Sequence, residues 1–411
     1  MPAKKPPRSA TNKHPTSTLK RNARPEAWRA AVPFEPPIFD PVADESAMLS
    51  HLEAYGYVVV QALSQDELDA AESVFWAEAA THLGWDRDVP ATWQANERML
   101  TMAQRNDCGH FRGFDHSEFA WTLRKSPNVT RVFDCIAQHF SGASEGEPQL
   151  AAFNGINIFR PHGLREEWRT TSAPWYHIDN PKPDARLPLR QPKLVFSGIL
   201  NLQEVSADTG GFVCVPKSHL LFGSRAAYDD AEKSTVNASA DDEYLDLRPF
   251  DNFVESEANQ RVGNTLHTQP IVPCTGGRRG TLTIWDPRMV HCSTSSLTPP
   301  EQNERAREAR LLRLAAFISL CPASWAAPES LPQRRELVEQ RICANSSRPF
   351  GVNGYMRVQR QFDAIAFYEG LWADEEVVRL ITGGSRAAGA DASAEATGTG
   401  GDGQRAVHGA V

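Results

Sequence analysis

Three residues of the chain have the types and spacing of a metal-binding site. His177 and Asp179 stand two positions apart in the segment Trp175-Tyr176-His177-Ile178-Asp179, and His291 lies far downstream. Two imidazoles and one carboxylate form the facial triad with which non-haem oxygenases hold Fe(II), leaving the other coordination positions open. The separation of Asp179 from His291 is too long for one turn or helix and suits ligands on different strands. The sequence therefore predicts an iron site made by His177, Asp179 and His291.

The triplet His-x-Asp or His-x-Glu is a weak signal by itself, because it occurs three times among the 12 histidines. His51 lies in an amphipathic helical segment, where a solvated face is expected. His116 is expected at the surface or beside a site rather than as a ligand. His177 follows a short apolar stretch and precedes Asn180-Pro181, a pattern typical of a strand that runs into a turn. This context favours a metal site, and a turn-capping role is the alternative for Asp179.

Composition and charge bound the class of protein. The 411 residues, of which 41% are hydrophobic and 23% charged, are typical of a soluble globular protein with one large domain or two ordinary ones. The net charge is −8, although residues 1–30 contain eight Lys and Arg residues and a single glutamate. The acidic balance therefore lies in the rest of the chain. An acidic body argues against nucleic acid as the main partner.

No segment has the length and hydropathy of a membrane span or of a secretory signal. The seven cysteines include no Cys-x-x-Cys pair, so neither a disulfide framework nor a zinc site is expected and a reducing compartment is favoured. We therefore expect an intracellular, cytoplasmic protein with no membrane partner. The basic segment Lys4-Lys5-Pro6-Pro7-Arg8 leaves nuclear or organellar import open as an alternative. The oligomeric state does not follow from the sequence.

The pattern of elements predicts a mainly β fold with flanking helices, a double-stranded β-helix of the jelly-roll, cupin-like type. Ser64 and Glu67 form a capping box that begins a helix, and Gly84 ends it. Many short apolar runs between Gly and Pro turns indicate strands. The predicted strands are 55–60, 150–159, 193–202, 212–216, 269–273, 280–285 and 313–320, and further predicted helices are 46–54, 127–140, 328–343 and 356–381.

Composition also divides the chain into segments. We expect a disordered, basic, Pro-rich arm over residues 1–40 and a catalytic domain over 46–325 with an acidic insertion at about 224–266. A helical extension is expected over 326–381, and an Ala, Gly and Ser-rich disordered tail over 383–411.

Four segments, in this order along the chain, resemble motifs of the phytanoyl-CoA dioxygenase family, which includes ectoine hydroxylase. The resemblance covers roughly residues 46–325, and the order of all four segments is more specific than any one of them. The insertion at 224–266 and the helical segment 328–381 have no counterpart in it. The four segments are Tyr55-Gly56-Tyr57-Val58-Val59-Val60 with Ser64-Gln65-Asp66-Glu67-Leu68, Trp175–Asp179, Thr209–His219, and Gly280-Thr281-Leu282-Thr283-Ile284-Trp285-Asp286 through His291 to Arg313.

The resemblance implies an oxygenase that uses Fe(II), the co-substrate 2-oxoglutarate and O2, with His177, Asp179 and His291 as metal ligands and catalytic residues. In the related halogenases a small residue replaces the carboxylate to make room for chloride. The carboxylate of Asp179 therefore favours hydroxylation or a related oxidation of a small-molecule substrate. The resemblance does not identify this substrate, because the substrates of the family differ widely.

A fixed cation must hold the distal carboxylate of 2-oxoglutarate, and the planar fork of arginine suits it. Arg310 and Arg313 are the candidates, and the resemblance favours Arg313; a charged strand edge is the alternative for either. Ser293 and Asn157 are candidates for hydrogen bonds to the co-substrate, with a barrel-wall role as the equal alternative.

Other roles are expected for the remaining candidates. His219 resembles a structural position, and Trp175 and Trp285 are expected to pack in the core or at the barrel mouth. Two alternative functions stay open: a non-catalytic jelly-roll protein that binds a ligand or partner, and a metal-dependent cupin-like enzyme that does not use 2-oxoglutarate.

Overall fold

A computed structural model describes residues 35–94, 109–111, 113–169, 176–179, 193–222, 245–247, 254–261, 263, 265–268, 272–274, 277–343, 349, 351–352 and 362–384. Most of the predicted arm, acidic insertion and tail therefore lie outside the described residues, as does Trp175. None of the described helices is long and apolar enough to cross a membrane.

The described helices surround a set of short strands. The helices are α1 Glu45–Tyr55, α2 Gln65–Leu83, α3 Glu118–Arg124, α4 Pro127–Ser141, α5 Glu257–Arg261, α6 Thr265–Thr268, α7 Ser330–Glu339 and α8 Glu375–Thr382. The strands are β1 Ile38–Phe39, β2 Tyr57–Gln61, β3 His110–Phe111, β4 Gln149–Ala151, β5 Ile156–Phe159, β6 His177–Ile178, β7 Ser197–Asn201, β8 Phe212–Cys214, β9 Leu245–Asp246, β10 Val272–Pro273, β11 Thr281–Trp285, β12 His291–Ser293, β13 Arg313–Ile318, β14 Leu320–Pro322, β15 Ile342–Cys343 and β16 Phe362–Asp363.

The larger sheet has seven strands in the order β1-β2-β11-β7-β13-β5-β3. Its long pairs are antiparallel, and only the short β1 runs parallel to its neighbour β2. Side chains alternate between its two faces, as the two-residue period of a strand requires. Leu282 and Ile284 of β11 face the main apolar core, whereas Trp285 faces the other way. One face of this sheet therefore packs against the helices and the other is available to a site.

The smaller sheet has five antiparallel strands in the order β10-β8-β12-β6-β9. It packs against the inner face of the larger sheet through a shared apolar cluster, in which Phe212 and Cys214 of β8 contact residues that include Tyr57 and Trp285. The seven-stranded and five-stranded sheets face each other and do not close into a barrel. This arrangement confirms the predicted jelly-roll class with flanking helices.

The N-terminal helices begin and end where local sequence signals place them. The Ser64 Oγ accepts a hydrogen bond from the Glu67 backbone N at 3.3 Å, and the Glu67 carboxylate accepts one from the Ser64 backbone N at 2.8 Å. Gly84 ends α2 with a φ of 70°, a left-handed conformation that favours glycine. The capping box and this helix end are confirmed, and α4 matches the helix predicted at 127–140.

Two predicted strands were wrong as continuous elements. Residues 150–159 divide into β4 and β5, and residues 313–320 divide into β13 and β14. The two breaks lie next to each other in space. The Ala152 backbone N donates to the Ser319 carbonyl at 2.9 Å, at the point where both chain segments leave the larger sheet. The β4–β14 pair then continues as a separate two-stranded sheet. An unbroken apolar run cannot reveal such a bend, since both faces stay buried.

The C-terminal segment packs into the same core as the domain before it. Leu337 and Val338 of α7 and Leu380 and Ile381 of α8 belong to the large apolar cluster that holds the outer face of the larger sheet. Residues 356–361 of the helix predicted at 356–381 lie outside the described residues, and the prediction of a continuous helix was wrong over 362–370, where the chain forms β16 and turns. A short 3-10 helix, Leu371–Ala373, follows before Asp374 caps α8. We propose that the described residues of 326–381 fold as one unit with the described residues of 46–325 rather than as a separate appendage.

Two buried polar side chains join this segment to the rest of the protein. Arg334 is fully buried and donates to the carbonyls of Ala151, at 2.6 Å, and Ile381, at 2.9 Å. The His116 Nε2 lies 2.9 Å from the Ile342 carbonyl, and its ring is fully buried. The expected surface position of His116 was therefore wrong. The half-buried ring of His51, 4.6 Å from that of Tyr55, is likewise not on a solvated face.

Replacing Arg334 by methionine should destabilise the fold by about 2–4 kcal/mol, because buried carbonyls of α8 and β4 lose their donor while the side-chain volume is kept. Urea denaturation measures the change. The matched control is Arg335→Met, since Arg335 is the next residue and is exposed on the same helix. Equal denaturation midpoints for the two variants would contradict the proposed role of Arg334.

The pKa of His116 is lowered to about 3, because burial disfavours the charged ring and the cations of Arg124 and Arg334 act in the same direction. A pKa that is lower in the folded protein than in the unfolded chain stabilises the fold above about pH 6.5, and this stabilisation is lost as the pH falls below that value. Between about pH 7.5 and 5.5, the wild type should lose about 1 kcal/mol more unfolding free energy than His116→Gln. A His116→Gln slope equal to that of the wild type would be evidence against this titration.

Candidate metal centre

The three predicted ligands lie together between the two sheets. The His177 Nε2 lies 3.3 Å from one carboxylate oxygen of Asp179, Oδ1, and the His291 Nε2 lies 3.4 Å from the other, Oδ2. One ligand atom from each of the three residues falls within 4.8 Å of the other two. Within the described part of the chain, no other group of three His, Cys, Asp or Glu side chains is placed in this way. The structure thus brings all three predicted residues to one point.

Strand pairing produces this meeting of distant residues. β6 pairs with β12 so that His177 stands directly opposite His291, and their ring centroids are 4.3 Å apart. Asp179 follows two residues after His177, so its side chain returns to the same face while Ile178 packs on the other. The Asp179 backbone N donates to the Pro287 carbonyl at 2.8 Å. This bond holds the carboxylate next to the turn that leads into β12.

Hydrogen bonding and charge prepare the three side chains for a cation. The His291 Nδ1 lies 2.9 Å from the Met289 carbonyl, a contact that suits an N–H donor and leaves Nε2 with its lone pair. Burial by itself would raise the pKa of Asp179, but the neighbouring His291 and His177 hold that pKa well below its usual range. Asp179 is therefore a carboxylate at neutral pH.

The donor set fits Fe(II). Two imidazole nitrogens and one carboxylate oxygen within 4.8 Å of one another match the ligands that non-haem iron takes in oxygenases. Cys292 follows His291 directly, but it belongs to the apolar cluster on the far side of the smaller sheet. A thiolate from Cys292 is therefore not directed at the three ligands.

Arg313 lies buried at the start of β13, on the inner face of the larger sheet. Its guanidinium donates to the Ser293 Oγ at 2.7 Å, the Asn157 Oδ1 at 3.1 Å and the Thr294 carbonyl at 3.1 Å, and it lies 4.1 Å from the centre of the Phe159 ring. Ser293 is two residues beyond His291 on β12. The cation and the three ligands therefore occupy the same interior.

Arg310, the other candidate, lies at the surface. Its side chain is 54% exposed and pairs with Glu308 at 2.9 Å, which is the charged-edge role that the sequence left open. The two arginines differ because Arg310 precedes the strand, whereas Arg313 is the first residue inside it.

Trp285 contacts the ligands as well as the apolar core. Its indole Nε1 donates to the Asp179 Oδ2 at 3.0 Å, and its ring lies 5.0 Å from that of His291. Phe212 stacks on the Trp285 ring at 4.7 Å and on the His291 ring at 5.5 Å. The sequence analysis assigned Trp285 a packing role only. Its position on the inner face, two residues after Thr283 on the same strand, was the available signal, since a buried indole N–H usually finds an acceptor.

The segment that follows β8 supports the strand that carries His291. The Ser218 Oγ accepts a hydrogen bond from the Val290 backbone N at 2.8 Å, next to the ligand. His219 lies outside the ligand group, and its Nε2 is 3.1 Å from the Glu53 carbonyl. This position agrees with the structural role expected for His219. The sequence analysis did not identify Ser218, because a single serine in a turn carries no signal of its distant partner.

Comparison with solved structures places the fold among known proteins. GlcNAc Inducible Gene 2, a DUF1479 protein of Candida albicans, matches with a TM-score of 0.50 and 13% identity over 87% of this chain and 81% of that chain. EctD from S. alaskensis, solved with 2-oxoglutarate and 5-hydroxyectoine, has a TM-score of 0.38 and 14% identity over 80% of this chain and 88% of that chain. The non-heme alpha ketoglutarate dependent carbocyclase SnoK has a TM-score of 0.37 and 16% identity over 71% and 88%.

No curated protein matches the sequence. The phytanoyl-CoA dioxygenase family matches residues 52–300, more than half of the chain, and this stretch includes all three metal-ligand candidates. The predicted family and cofactor class are thereby confirmed: the chain belongs to the phytanoyl-CoA dioxygenase family and is an iron- and 2-oxoglutarate-dependent oxygenase.

Proposed function

We propose that the protein hydroxylates a small molecule, with His177, Asp179 and His291 as the iron ligands and Arg313 as the anchor of 2-oxoglutarate. The observation that carries the proposal is the placement of a buried, hydrogen-bonded arginine on the same interior as the two imidazoles and the carboxylate. A metal group and a fixed cation on facing sheets are what a co-substrate with a keto acid at one end and a carboxylate at the other requires.

The triad and Arg313 have separate roles. His177, Asp179 and His291 hold the iron, which when bound supplies the oxidative decarboxylation of 2-oxoglutarate by O2 and the oxidation of the substrate. Arg313 binds the distal carboxylate, and its fork is held by Ser293 and Asn157 before the co-substrate arrives. The apolar ring of Phe159 beneath the guanidinium excludes water and strengthens the charge-assisted bonds.

The intact carboxylate at position 179 supports hydroxylation rather than halogenation. A carboxylate occupies the coordination position that a chloride ion would need. The buried, ionised state of Asp179 next to two imidazoles is consistent with a permanent ligand rather than a turn-capping residue.

A small-molecule substrate is the partner that agrees with an interior site between two sheets. The acidic chain, with a net charge of −8, gives no support to a nucleic-acid substrate. We keep the cytoplasm as the proposed location on the grounds of the cysteine pattern.

The proposal is tested first by anaerobic titration of the apo-protein with Fe(II) and then 2-oxoglutarate. We expect a weak charge-transfer band in the visible that disappears on admission of air, with formation of succinate. A folded protein that binds Fe(II) but develops no band with 2-oxoglutarate would contradict the proposed site for the co-substrate.

Replacing any one ligand by alanine, in His177→Ala, Asp179→Ala or His291→Ala, should abolish Fe(II) binding and turnover. The unfolding transition should stay close to wild type, because none of the three side chains belongs to the apolar clusters that hold the sheets together. Isothermal titration with Fe(II) under argon and thermal unfolding measure the two effects. His82→Ala, at an exposed position of α2, should bind iron like the wild type. Wild-type iron affinity in any ligand variant would overturn the triad.

Arg313→Gln should raise the dissociation constant of 2-oxoglutarate by about 10–100-fold, since charge-assisted hydrogen bonds to a carboxylate contribute about 1.5–3 kcal/mol. Iron binding should be unaffected. The charge-transfer band, titrated with 2-oxoglutarate, measures the change. The control is Arg310→Gln, which removes the same group from the surface and should leave the titration unchanged. Equal 2-oxoglutarate affinity in both variants would reject Arg313 as the anchor.

A further inference from the structure

The metal-ligand candidate Asp179 has a hydrogen-bond donor that the ligand set does not explain. The Trp285 Nε1 donates to Oδ2 of Asp179 at 3.0 Å, beside the two histidines of the ligand group. An indole N–H is a donor only, so its single bond at this point must go to an acceptor. The acceptor that it takes is one of the two carboxylate oxygens that the iron could use.

The indole is held rigidly in this position. Trp285 is the last residue of β11, paired with Tyr57 of β2 on one side and with Ser197 of β7 on the other. Its side chain is 5% exposed and lies against Phe212 at 4.7 Å. A ring that is fixed by two strands and a stacked neighbour keeps its N–H at one place, so the hydrogen bond costs little further ordering.

The two oxygens of Asp179 therefore have different surroundings. Oδ1 lies 3.3 Å from the His177 Nε2, whereas Oδ2 faces both the His291 Nε2, at 3.4 Å, and the indole N–H. We propose that Trp285 is a positioning residue, which occupies Oδ2 and presents Oδ1 as the one metal-binding oxygen of Asp179. This inference rests on the proposed function of the triad and deepens it.

The consequence concerns the number of positions left at the iron. If iron is bound, three single-atom protein ligands would leave its other coordination positions open for 2-oxoglutarate and O2. A carboxylate that binds through both oxygens would use one of these positions and compete with the co-substrate. The hydrogen bond from Trp285 disfavours metal binding by Oδ2, because Oδ2 already accepts a hydrogen bond from the indole. Mutation of a group that orients a metal ligand in this way typically lowers metal affinity or activity by about 10–100-fold.

A packing role for Trp285 is the alternative, since the ring also belongs to the apolar cluster between the sheets. Packing depends on the shape of the ring, whereas positioning depends on the indole N–H, so substitutions that change only one of the two distinguish the roles. Trp285→Phe keeps an aromatic ring and removes the donor. The tryptophan analogue benzothienylalanine, placed at position 285 alone, keeps the full shape of the ring and replaces the N–H by sulfur. Packing predicts that the analogue behaves as wild type, whereas positioning predicts that it behaves as Trp285→Phe.

The experiment measures binding rather than turnover. Each protein is loaded with Fe(II) under argon and titrated with 2-oxoglutarate, with the charge-transfer band as the readout. We expect Trp285→Phe and the analogue to need about tenfold more 2-oxoglutarate than the wild type to develop the band. Trp168→Phe is the matched control, because Trp168 is equally buried and lies outside the ligand group. It should titrate like the wild type.

The outcomes distinguish this inference from the proposed function. A wild-type band together with a wild-type titration of the analogue would overturn the role of Trp285 and leave the triad intact. The absence of a band in the folded wild type would overturn the proposed function, and the role of Trp285 with it. If Trp285→Phe does not fold, the analogue decides, because it creates no cavity.

Discussion

The antiparallel pairing of β6 with β12 is the interaction on which the candidate site depends. It sets His177 opposite His291, and the two-residue period of a strand then returns Asp179 to the same face. A shift of one residue in this register would direct one histidine outward, into the apolar cluster around Ile178 and Cys292. The apolar residues between the ligands therefore specify the register that the ligands need. Packing and chemistry are determined by the same alternation.

The second constraint is the burial of charge between the sheets. Arg313 and Asp179 both lie in the interior, and each has hydrogen-bond partners before any ligand arrives: the guanidinium donates to Ser293, Asn157 and a carbonyl, and the carboxylate accepts from the Trp285 indole. Desolvated charges of this kind are costly unless they are hydrogen-bonded. The hydrogen bonds that make the charges tolerable are also those that orient them, so the stability of the interior and the order of the site have a common origin.

The prediction of the fold succeeded where signals were local and failed where the chain changed partners. Short sequence patterns predicted three elements that the structure contains: the capping box at Ser64, the helix over 127–140 and the strand at 281–285. The break at Ser319 leaves no such pattern, because an apolar run remains buried on both sides of the bend. The burial of His116 is equally invisible in the sequence, since its contact with Ile342 joins positions that are far apart.

By itself, the sequence determined the chemistry available to the protein: two histidines and one aspartate for a metal, an arginine for a carboxylate, and the family to which these belong. Side-chain type and order along the chain suffice for that, because ligand preference is a property of the donor atoms. Only the tertiary structure decided between the alternatives that had equal chemistry. In the structure Arg313 lies inside and Arg310 lies at the surface. Trp285 packs in the core, as expected, and also donates a hydrogen bond to Asp179. The reason is geometric, since direction and distance between remote residues arise only when the strands pair.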